Sequence, residues 1–287
     1  MPVGAPAGGD IGCVPWGALS LYRTTRSRAG RLVRAAKAAW PQPAPAESPA
    51  ATEPATTRSY EFLYEAHARS NGDDGVGGGD YDVVGEIEFD VLRAQGLEPT
   101  STLLDFGCGN GRLAVHVVPY LTDGHYVGTD IAETFLEQAG QRLRHAAPPR
   151  PGAVRFVRQV DLDFGVEDHS IDMLCAFSVF THMDHEDMYR YLNAMHRIVR
   201  TGGRVVLSCL PLDLADAKHI FRTEAGFPPD ERWNRVRNVT TSTQLVDTIA
   251  EMAGWSVVTW LPGSAGQAPS ATGEMRSLGQ SIVVLTH

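Results

Sequence analysis

The stretch that decides the fold is Leu103-Leu104-Asp105-Phe106-Gly107-Cys108-Gly109-Asn110-Gly111. It begins with the apolar character of a buried strand and continues with three glycines at alternate positions. Because glycine has no Cβ atom, the chain can bend sharply there and a ligand can approach the backbone closely. In α/β sheets, nucleotide-like ligands bind in the crevice beyond the carboxyl ends of the strands. The stretch therefore predicts a ligand-binding turn between a buried strand and a helix.

The spacing of the glycines narrows the class of ligand. A dinucleotide-binding turn has its third glycine five residues after the first, but this chain has Arg112 at that position. The carboxylate of Asp105 would also repel a pyrophosphate, whereas it suits a ligand with a cationic amino group. The turn is therefore not of the dinucleotide-binding type.

Residues 105–111 resemble the first motif of the class I methyltransferases, which use S-adenosylmethionine as cofactor. The resemblance implies that this segment binds the cofactor. The implied contacts are Asp105, Phe106, Gly107, Cys108, Gly109, Asn110 and Gly111.

A second apolar segment, residues 126–130, ends in Asp130. In Rossmann-like folds an acid at the end of the second strand accepts hydrogen bonds from ribose hydroxyls, about 20 residues beyond the glycines. The resemblance adds Ile131 as a neighbouring cofactor contact. A second interpretation is that Asp130 caps a helix over residues 131–144, since aspartate is a favoured N-cap residue.

Two more strands are predicted over residues 154–158 and 171–177. The resemblance implies that Asp161 and Leu162, which follow the first of them, contact the adenine. The loop is one residue shorter than is common in the family, so Asp163 is an alternative, and solvated loop acids are another. Phe177 is the implied cofactor contact at the end of the other strand, next to the place where donor and acceptor meet.

Strands and helices alternate along the rest of the chain. Helices are predicted over residues 186–199 and 242–253, and strands over 201–208, 255–260 and 280–285. This alternation predicts an α/β fold with a mostly parallel sheet covered by helices on both faces. The resemblance implies a Rossmann-like sheet of seven strands with the last strand antiparallel.

His182 follows the fourth strand, and imidazole titrates near neutral pH. It is the candidate base for an acceptor that must lose a proton, and a purely structural histidine is the alternative. Residues 182–187 also have the types that bind metals. Helix capping and the helix dipole account for Asp184, Glu186 and Asp187, so no metal site is predicted.

Two segments outside the motifs are expected to reach the acceptor. In related enzymes the residues before the first motif close over the cofactor. The candidate substrate contacts are therefore Tyr60, Tyr64, His67 and Tyr81, and packing roles are the alternative. Residues 211–238 are too long for a plain connector, so we expect them to cover the acceptor pocket.

The composition of the 287-residue chain fits an intracellular enzyme. Its four cysteines have no metal or disulfide spacing, which favours a reducing compartment. No stretch approaches the roughly 20 apolar residues that span a bilayer. The formal net charge of −9 argues against nucleic acid as a partner, because phosphate binding draws on Lys and Arg. We expect a cytoplasmic protein with a small-molecule acceptor.

The first 57 residues differ in charge, with six basic and three acidic residues. Residues 16–40 predict a helix with an apolar side that includes Trp40 and with Arg and Lys elsewhere. Such a helix fits peripheral contact with an anionic membrane. One alternative is that this helix docks on the domain or on a second subunit. Another is that the start codon is misassigned and the segment is a disordered leader. Residues 41–57 predict an Ala/Pro-rich linker, which leaves residues 58–287 as the methyltransferase domain.

These patterns favour S-adenosylmethionine-dependent methylation of a small molecule. The preferred acceptor is a hydroxyl of a sugar, a glycolipid or a secondary metabolite, which is an inference from resemblance because a fold does not determine a substrate. One alternative is N- or C-methylation of a small metabolite. Another is a protein that binds S-adenosylmethionine without transferring the methyl group.

Overall fold

The computed structural model describes residues 55–71, 80–146 and 149–287. The helices in that part of the chain are α1 (Ala55–Asn71), α2 (Tyr81–Ala94), α3 (Ala114–Tyr120), α4 (Glu133–Ala146), α5 (His185–Ile198), α6 (Lys218–Ala225), α7 (Pro229–Trp233) and α8 (Thr243–Met252). The strands are β1 (Thr102–Phe106), β2 (His125–Asp130), β3 (Val154–Arg158), β4 (Ile171–Ala176), β5 (Val199–Cys209), β6 (Ser256–Leu261), β7 (Ala268–Pro269), β8 (Met275–Arg276) and β9 (Ser281–Thr286).

Strand β1 lies in the core, with apolar side chains on both faces. Leu103 and Leu104 are both fully buried, yet they belong to two different apolar clusters. Successive side chains of a strand point to opposite faces of the sheet, so one leucine serves each cluster. Helices α5 and α8 supply apolar residues to the Leu104 cluster, and α2 and α3 supply them to the Leu103 cluster. The sheet is therefore covered on both faces, as the alternation of elements predicts.

Seven strands form the main sheet in the order β3-β2-β1-β4-β5-β9-β6. The pairs from β3 to β5 are parallel, and β9 is antiparallel to both of its neighbours. The predicted Rossmann-like, mostly parallel sheet with an antiparallel last strand is confirmed. The chain order reverses between β1 and β4, and such a switch point opens a crevice beyond the carboxyl ends of the strands.

Some predicted elements have different bounds in the structure. The apolar spacing of residues 112–121 predicts a helix from residue 112, but α3 begins at Ala114, because Arg112 is buried in the turn and pairs with Glu88. The helix predicted from residue 131 begins at Glu133. A small sheet of β7 and β8, which no pattern predicted, lies in the connection to β9 and contacts α2. Residues 211–238 contain helices α6 and α7.

The linker predicted over residues 41–57 ends too late, because α1 begins at Ala55. The described residues, 55–71, 80–146 and 149–287, belong to one compact unit. The amphipathic helix predicted over residues 16–40 lies outside the described residues and stays a prediction. Within the described ranges, the helices are too short or too polar to cross a membrane.

Candidate functional site

The glycine turn after β1 requires its glycines for conformation and for space. Gly107, Gly109 and Gly111 have φ values of 75°, 52° and 86°, in the left-handed region that favours glycine. A Cβ atom on Gly107 would overlap the side chain of Val179, and one on Gly111 would lie 3.0 Å from the Ala139 backbone on α4. The turn is therefore held tightly between the loop after β4 and helix α4.

Asp130 joins this turn to the end of β2. Its carboxylate accepts a 2.9 Å hydrogen bond from the Gly109 amide and another of 2.9 Å from the Ala132 amide. Because α4 begins only at Glu133, Asp130 is not the N-cap of a helix that starts at residue 131. Burial raises the pKa of Asp130 to about 6, although the backbone N–H groups favour its ionised form. The carboxylate lies on a cavity wall beside the turn.

Asp105 lies at the base of the same cavity and is 3% exposed. It accepts a 2.6 Å hydrogen bond from the hydroxyl of Tyr126, and burial raises its pKa to about 7. Close by, the Glu88 carboxylate pairs with the guanidinium of Arg112, and both side chains are buried. This end of the cavity therefore holds three carboxyl groups, including that of Asp130, against the one guanidinium of Arg112.

The cavity measures about 860 Å³ and opens at the carboxyl ends of β1, β2, β3 and β4. Twelve of the residues singled out from the sequence lie on its wall: Tyr60, Tyr64, His67, Asp105, Phe106, Gly107, Cys108, Gly109, Asp130, Ile131, Phe177 and His182. The structure thus brings together the segment before the first motif, the glycine turn and the ends of β2 and β4.

The predicted adenine contacts are displaced from the cavity. Asp161 and Asp163 are exposed and accept hydrogen bonds from the amides of Asp163 and Gly165, as residues of a tight loop do. Leu162 packs against the core cluster. None of the three lines the cavity, whereas Gln159 does.

Gln159 is the first residue after β3. This place at the end of a strand could have indicated a site residue, but the family resemblance pointed to Asp161 and Leu162 instead. The carboxyl ends of parallel strands meet at one edge of a sheet, so the residue after β3 lies beside Asp130 at the end of β2. The Gln159 amide N–H indeed donates to the Asp130 carbonyl at 2.8 Å. Its side-chain Nε2 donates to two loop carbonyls. Its Oε1 is buried and accepts no hydrogen bond from any described residue.

Three other predicted site residues do not line the cavity wall. They are Asn110, Gly111 and Tyr81. The hydroxyl of Tyr81 donates to the Asn110 carbonyl at 3.3 Å, and the guanidinium of Arg142 lies 4.0 Å from the centre of the tyrosine ring. Tyr81 therefore packs against the back of the turn and does not face a substrate in the cavity.

His182 is half-buried, and a hydrogen bond fixes one of its ring nitrogens. Its Nδ1 lies 2.8 Å from the carbonyl oxygen of Arg237, which can only accept, so Nδ1 carries the proton of the neutral ring and Nε2 carries the lone pair. Burial lowers the pKa of His182, which keeps the imidazole neutral near pH 7. The ring meets Tyr64 edge to face, with the ring centres 6.3 Å apart.

Asp184 stands at the N-cap position of α5, but its side chain makes no capping hydrogen bond. Its carboxylate instead pairs with the guanidinium of Arg237, and its amide N–H donates to the hydroxyl oxygen of Tyr60 at 3.0 Å. Asp184 therefore occupies the predicted N-cap position, but its side chain does not cap the helix. In the part of the chain that the structure describes, no group of three or more His, Cys, Asp or Glu side chains is arranged to hold a metal ion.

Several wall residues were not among the individual contacts predicted from the sequence. Ser178, in the turn after β4, has a positive φ of 59°. Its amide N–H donates a 2.7 Å hydrogen bond to the Ser208 hydroxyl, which fixes the backbone at this point. The other such residues are Glu88, Arg112, Leu113, Phe135, Gln159, Val179, Met183, Tyr191, Arg235 and Val236. Arg235 and Val236 belong to residues 211–238, the segment expected to cover the acceptor pocket.

Comparison with known proteins agrees with this geometry. Residues 103–203 match the family model described as "Methyltransferase domain". The O-methyltransferase rstn1 of Aspergillus nomiae is 30% identical over 39% of this chain and 47% of its own length. The 27-O-demethylrifamycin SV methyltransferase of Amycolatopsis mediterranei is 30% identical over 37% of this chain and 37% of its own length. The chain thus spans less than half the length of these curated relatives.

Among solved structures, the magnesium protoporphyrin IX methyltransferase of Synechocystis, with bound SAH, has the same fold. It aligns with a TM-score of 0.54 and 20% identity over 79% of this chain and 99% of its own. The glycine turn, the acids at the ends of β1 and β2, the strand order and the family model agree with one another. Residues 103–203 therefore match a methyltransferase domain, and the chain has the Rossmann-like fold of the class I S-adenosylmethionine-dependent methyltransferases.

Proposed function

We propose that this protein transfers the methyl group of S-adenosylmethionine to a hydroxyl group of a small molecule. The observation that carries the proposal is the donor end of the cavity, where the glycine turn lies between the buried carboxyl groups of Asp105 and Asp130. A sulfonium ligand with an amino group is cationic, and a cation favours the ionised form of these carboxyls.

The residues present fit the cofactor in three places. The Asp105 carboxylate suits the amino group, and the Asp130 carboxylate, next to the turn, suits the ribose hydroxyls. The Oε1 of Gln159 is a buried acceptor without a described partner, and such a group is costly unless a ligand supplies a donor. The exocyclic amino group of adenine is such a donor. We therefore assign the adenine contact to Gln159.

The chain's own chemical task is limited, because the sulfonium methyl is electrophilic when the cofactor is bound. The walls must exclude water and align the acceptor for in-line attack. His182 is the proposed base, since its Nε2 carries the lone pair and can take a hydroxyl proton. A hydroxyl acceptor must lose its proton, whereas many acceptors of N- or C-methylation have no hydroxyl proton to lose.

Two features support a small-molecule acceptor. The cavity is bounded by α1 and by residues 235 and 236 from the segment after β5, which leaves room for a compact ligand rather than a polymer. The relatives reported above include an O-methyltransferase and a methyltransferase named for an O-demethylated rifamycin. Both names indicate oxygen as the accepting atom.

Calorimetry with S-adenosylmethionine and SAH, its demethylated product S-adenosylhomocysteine, tests the donor site. We expect Asp105→Asn to weaken binding by roughly ten- to a hundredfold, the magnitude of one hydrogen bond to a charged group. The exposed Asp123→Asn is the matched control, and its affinity should equal that of the wild type. Absence of binding by the wild-type protein would refute the proposed function.

Transfer is tested separately by incubating the protein with methyl-labelled cofactor and extracts of sugars, lipids and small metabolites. Label in a small-molecule ether supports the proposal. Label on nitrogen or carbon favours the alternative acceptor classes. Binding of SAH with no transfer to any extract favours a protein that binds the cofactor without catalysis.

A further inference from the structure

A second, smaller cavity adjoins the main one and shares part of its wall, and we call it the distal chamber. It measures about 240 Å³. It shares Tyr60, Tyr64, His182, Arg235 and Val236 with the main cavity. Its own wall residues are Leu63, Asp184, Trp233 and Arg237. Because His182 lies on both walls, the distal chamber is placed to hold the part of an acceptor that extends beyond the reacting hydroxyl.

Aromatic rings form much of the distal chamber. Tyr60 and Tyr64 come from α1, and Trp233 comes from the end of α7. Trp233 is 62% exposed, which is unusual for so large an apolar side chain at the rim of a cavity. The guanidinium of Arg237 lies 4.6 Å from the centre of its ring, so the indole is held in place by a cation–π contact. A fixed, exposed ring is a surface on which another flat ring can stack.

The polar groups of the distal chamber are largely engaged with one another. The Tyr60 hydroxyl accepts from the Asp184 amide, and the Asp184 carboxylate pairs with Arg237. Arg235 pairs with Glu224 and lies 4.2 Å from the centre of the Phe227 ring. A sugar needs several hydrogen-bond partners to replace its hydration. These walls instead offer ring faces, together with Nε2 of His182 as an acceptor for a hydroxyl proton.

We propose that the distal chamber binds a planar hydroxyaromatic compound of the phenol or naphthol type, with its hydroxyl directed to His182. This inference rests on the proposed function and replaces the sugar hydroxyl as the preferred acceptor. The phenol oxygen forms a bond to the methyl carbon while the methyl–sulfur bond breaks with its electron pair remaining on sulfur. The hydroxyl proton goes to Nε2 of His182, so a sulfonium and a neutral imidazole become a thioether and an imidazolium.

The test uses the full-length protein saturated with SAH and measures the binding of defined compounds by calorimetry. The planar probes are 2-naphthol and 1-hydroxyanthraquinone. Decahydro-2-naphthol has the same carbon skeleton without a planar ring, and methyl α-D-glucopyranoside represents a sugar. We expect the planar probes to bind most tightly. With methyl-labelled S-adenosylmethionine in place of SAH, label should appear on the hydroxyl of a planar probe.

Trp233→Leu should weaken binding of the planar probes by roughly five- to tenfold, the magnitude of one aromatic contact. Its affinity for SAH should not change. Phe221→Leu is the matched control, because Phe221 is an exposed aromatic residue outside both cavity walls. That variant should bind every probe as the wild type does.

The outcomes separate the two proposals. Failure of the wild type to bind SAH refutes the proposed function. If SAH binds, the inference is overturned when decahydro-2-naphthol or the glucoside binds as tightly as the planar probes. It is also overturned when no planar probe binds, or when Trp233→Leu leaves their affinity unchanged.

Discussion

The hydroxyl of Tyr126 on β2 donates a 2.6 Å hydrogen bond to the carboxyl group of Asp105 on β1. Both side chains are buried at the end of the cavity that we assign to the cofactor. Burial raises the pKa of Asp105 to about 7, and the Tyr126 hydroxyl partly offsets this rise by stabilising the ionised form. The charge of this carboxyl group therefore changes within the neutral pH range.

The stability of the protein should consequently fall as the pH rises toward 7. Between the ordinary pKa of 3.8 and the raised value of about 7, the folded state holds a proton on Asp105 that the unfolded state has lost. Stability decreases with pH wherever the folded state binds more protons. Urea unfolding at several pH values between 4 and 8 measures this slope.

Asp105→Asn provides the control for the pH effect, because its amide can still accept from Tyr126 but does not titrate. We expect this variant to show a shallower decrease in the free energy of unfolding over the same pH range. The buried acids Glu88 and Asp130 have raised pKa values as well, so part of the slope should remain. An identical slope in wild type and variant would contradict the assignment to Asp105.

Gly107→Ala should destabilise the protein and weaken cofactor binding. The new methyl group would overlap Val179 while the backbone keeps a φ of 75°. Gly152→Ala is a matched control, since Gly152 has the same φ of 75° and an added Cβ atom there would meet nothing within 4 Å. We expect about 1 kcal/mol of destabilisation at Gly152 and roughly 2 kcal/mol more at Gly107, where overpacking adds to strain. Equal effects in thermal unfolding would show that the contact with Val179 is unimportant.

Gln159→Leu should remove the preference for adenine. Without Oε1, the wall offers no acceptor for the exocyclic amino group, so affinity for SAH should fall by roughly fivefold to tenfold, the magnitude of one hydrogen bond. Affinity for the inosine analogue of SAH, which lacks that amino group, should change less. Asp161→Asn serves as the comparison, because Asp161 is exposed outside the cavity. A larger loss in Asp161→Asn would restore the adenine contact predicted from the sequence.

His182→Asn should block transfer while leaving the cofactor site intact. The asparagine Nδ2 can donate to the Arg237 carbonyl as Nδ1 does now, but the side chain has no group that takes a proton. We expect methyl transfer to a hydroxyl acceptor to fall by about 10²- to 10⁴-fold, the usual contribution of a general base. His219→Asn, at an exposed position on α6, is the control. Unchanged turnover in His182→Asn would assign a purely structural role to the histidine.

Most of the fold could be predicted because its signals are local. The apolar segments become strands, the glycines of residues 107–111 form a turn, and Ser242 caps α8 by accepting from the Leu245 amide. The start of α3 was predicted too early, because the helical pattern of the sequence includes Arg112 but its side chain pairs with Glu88, 24 residues earlier in the chain. A local pattern does not carry information about such a distant partner.

The site residues likewise divide into those that a local motif reveals and those that it does not. Asp105, Asp130 and the turn residues 107–109 could be found because they adjoin strand ends in a recognisable motif. Gln159 was missed because counting along a loop of variable length does not fix which side chain faces the cavity. Residues 211–238 were expected to cover the acceptor pocket. Trp233, Arg235 and Arg237 could not be singled out within them, because no spacing links α7 and the residues after it to His182.

The sequence by itself determined the class of fold, the glycine turn and the acids beside it, since each follows from residue type and short-range spacing. The tertiary structure alone decided that Gln159 faces the cavity and that Nδ1 of His182 is tied to the Arg237 carbonyl. It also decided that rings from α1 and α7 enclose a chamber next to that histidine. The physical reason is that these arrangements depend on contacts between segments far apart in the chain, such as His182 with Arg237 and α1 with α7, which packing of the whole sheet and its helices brings together.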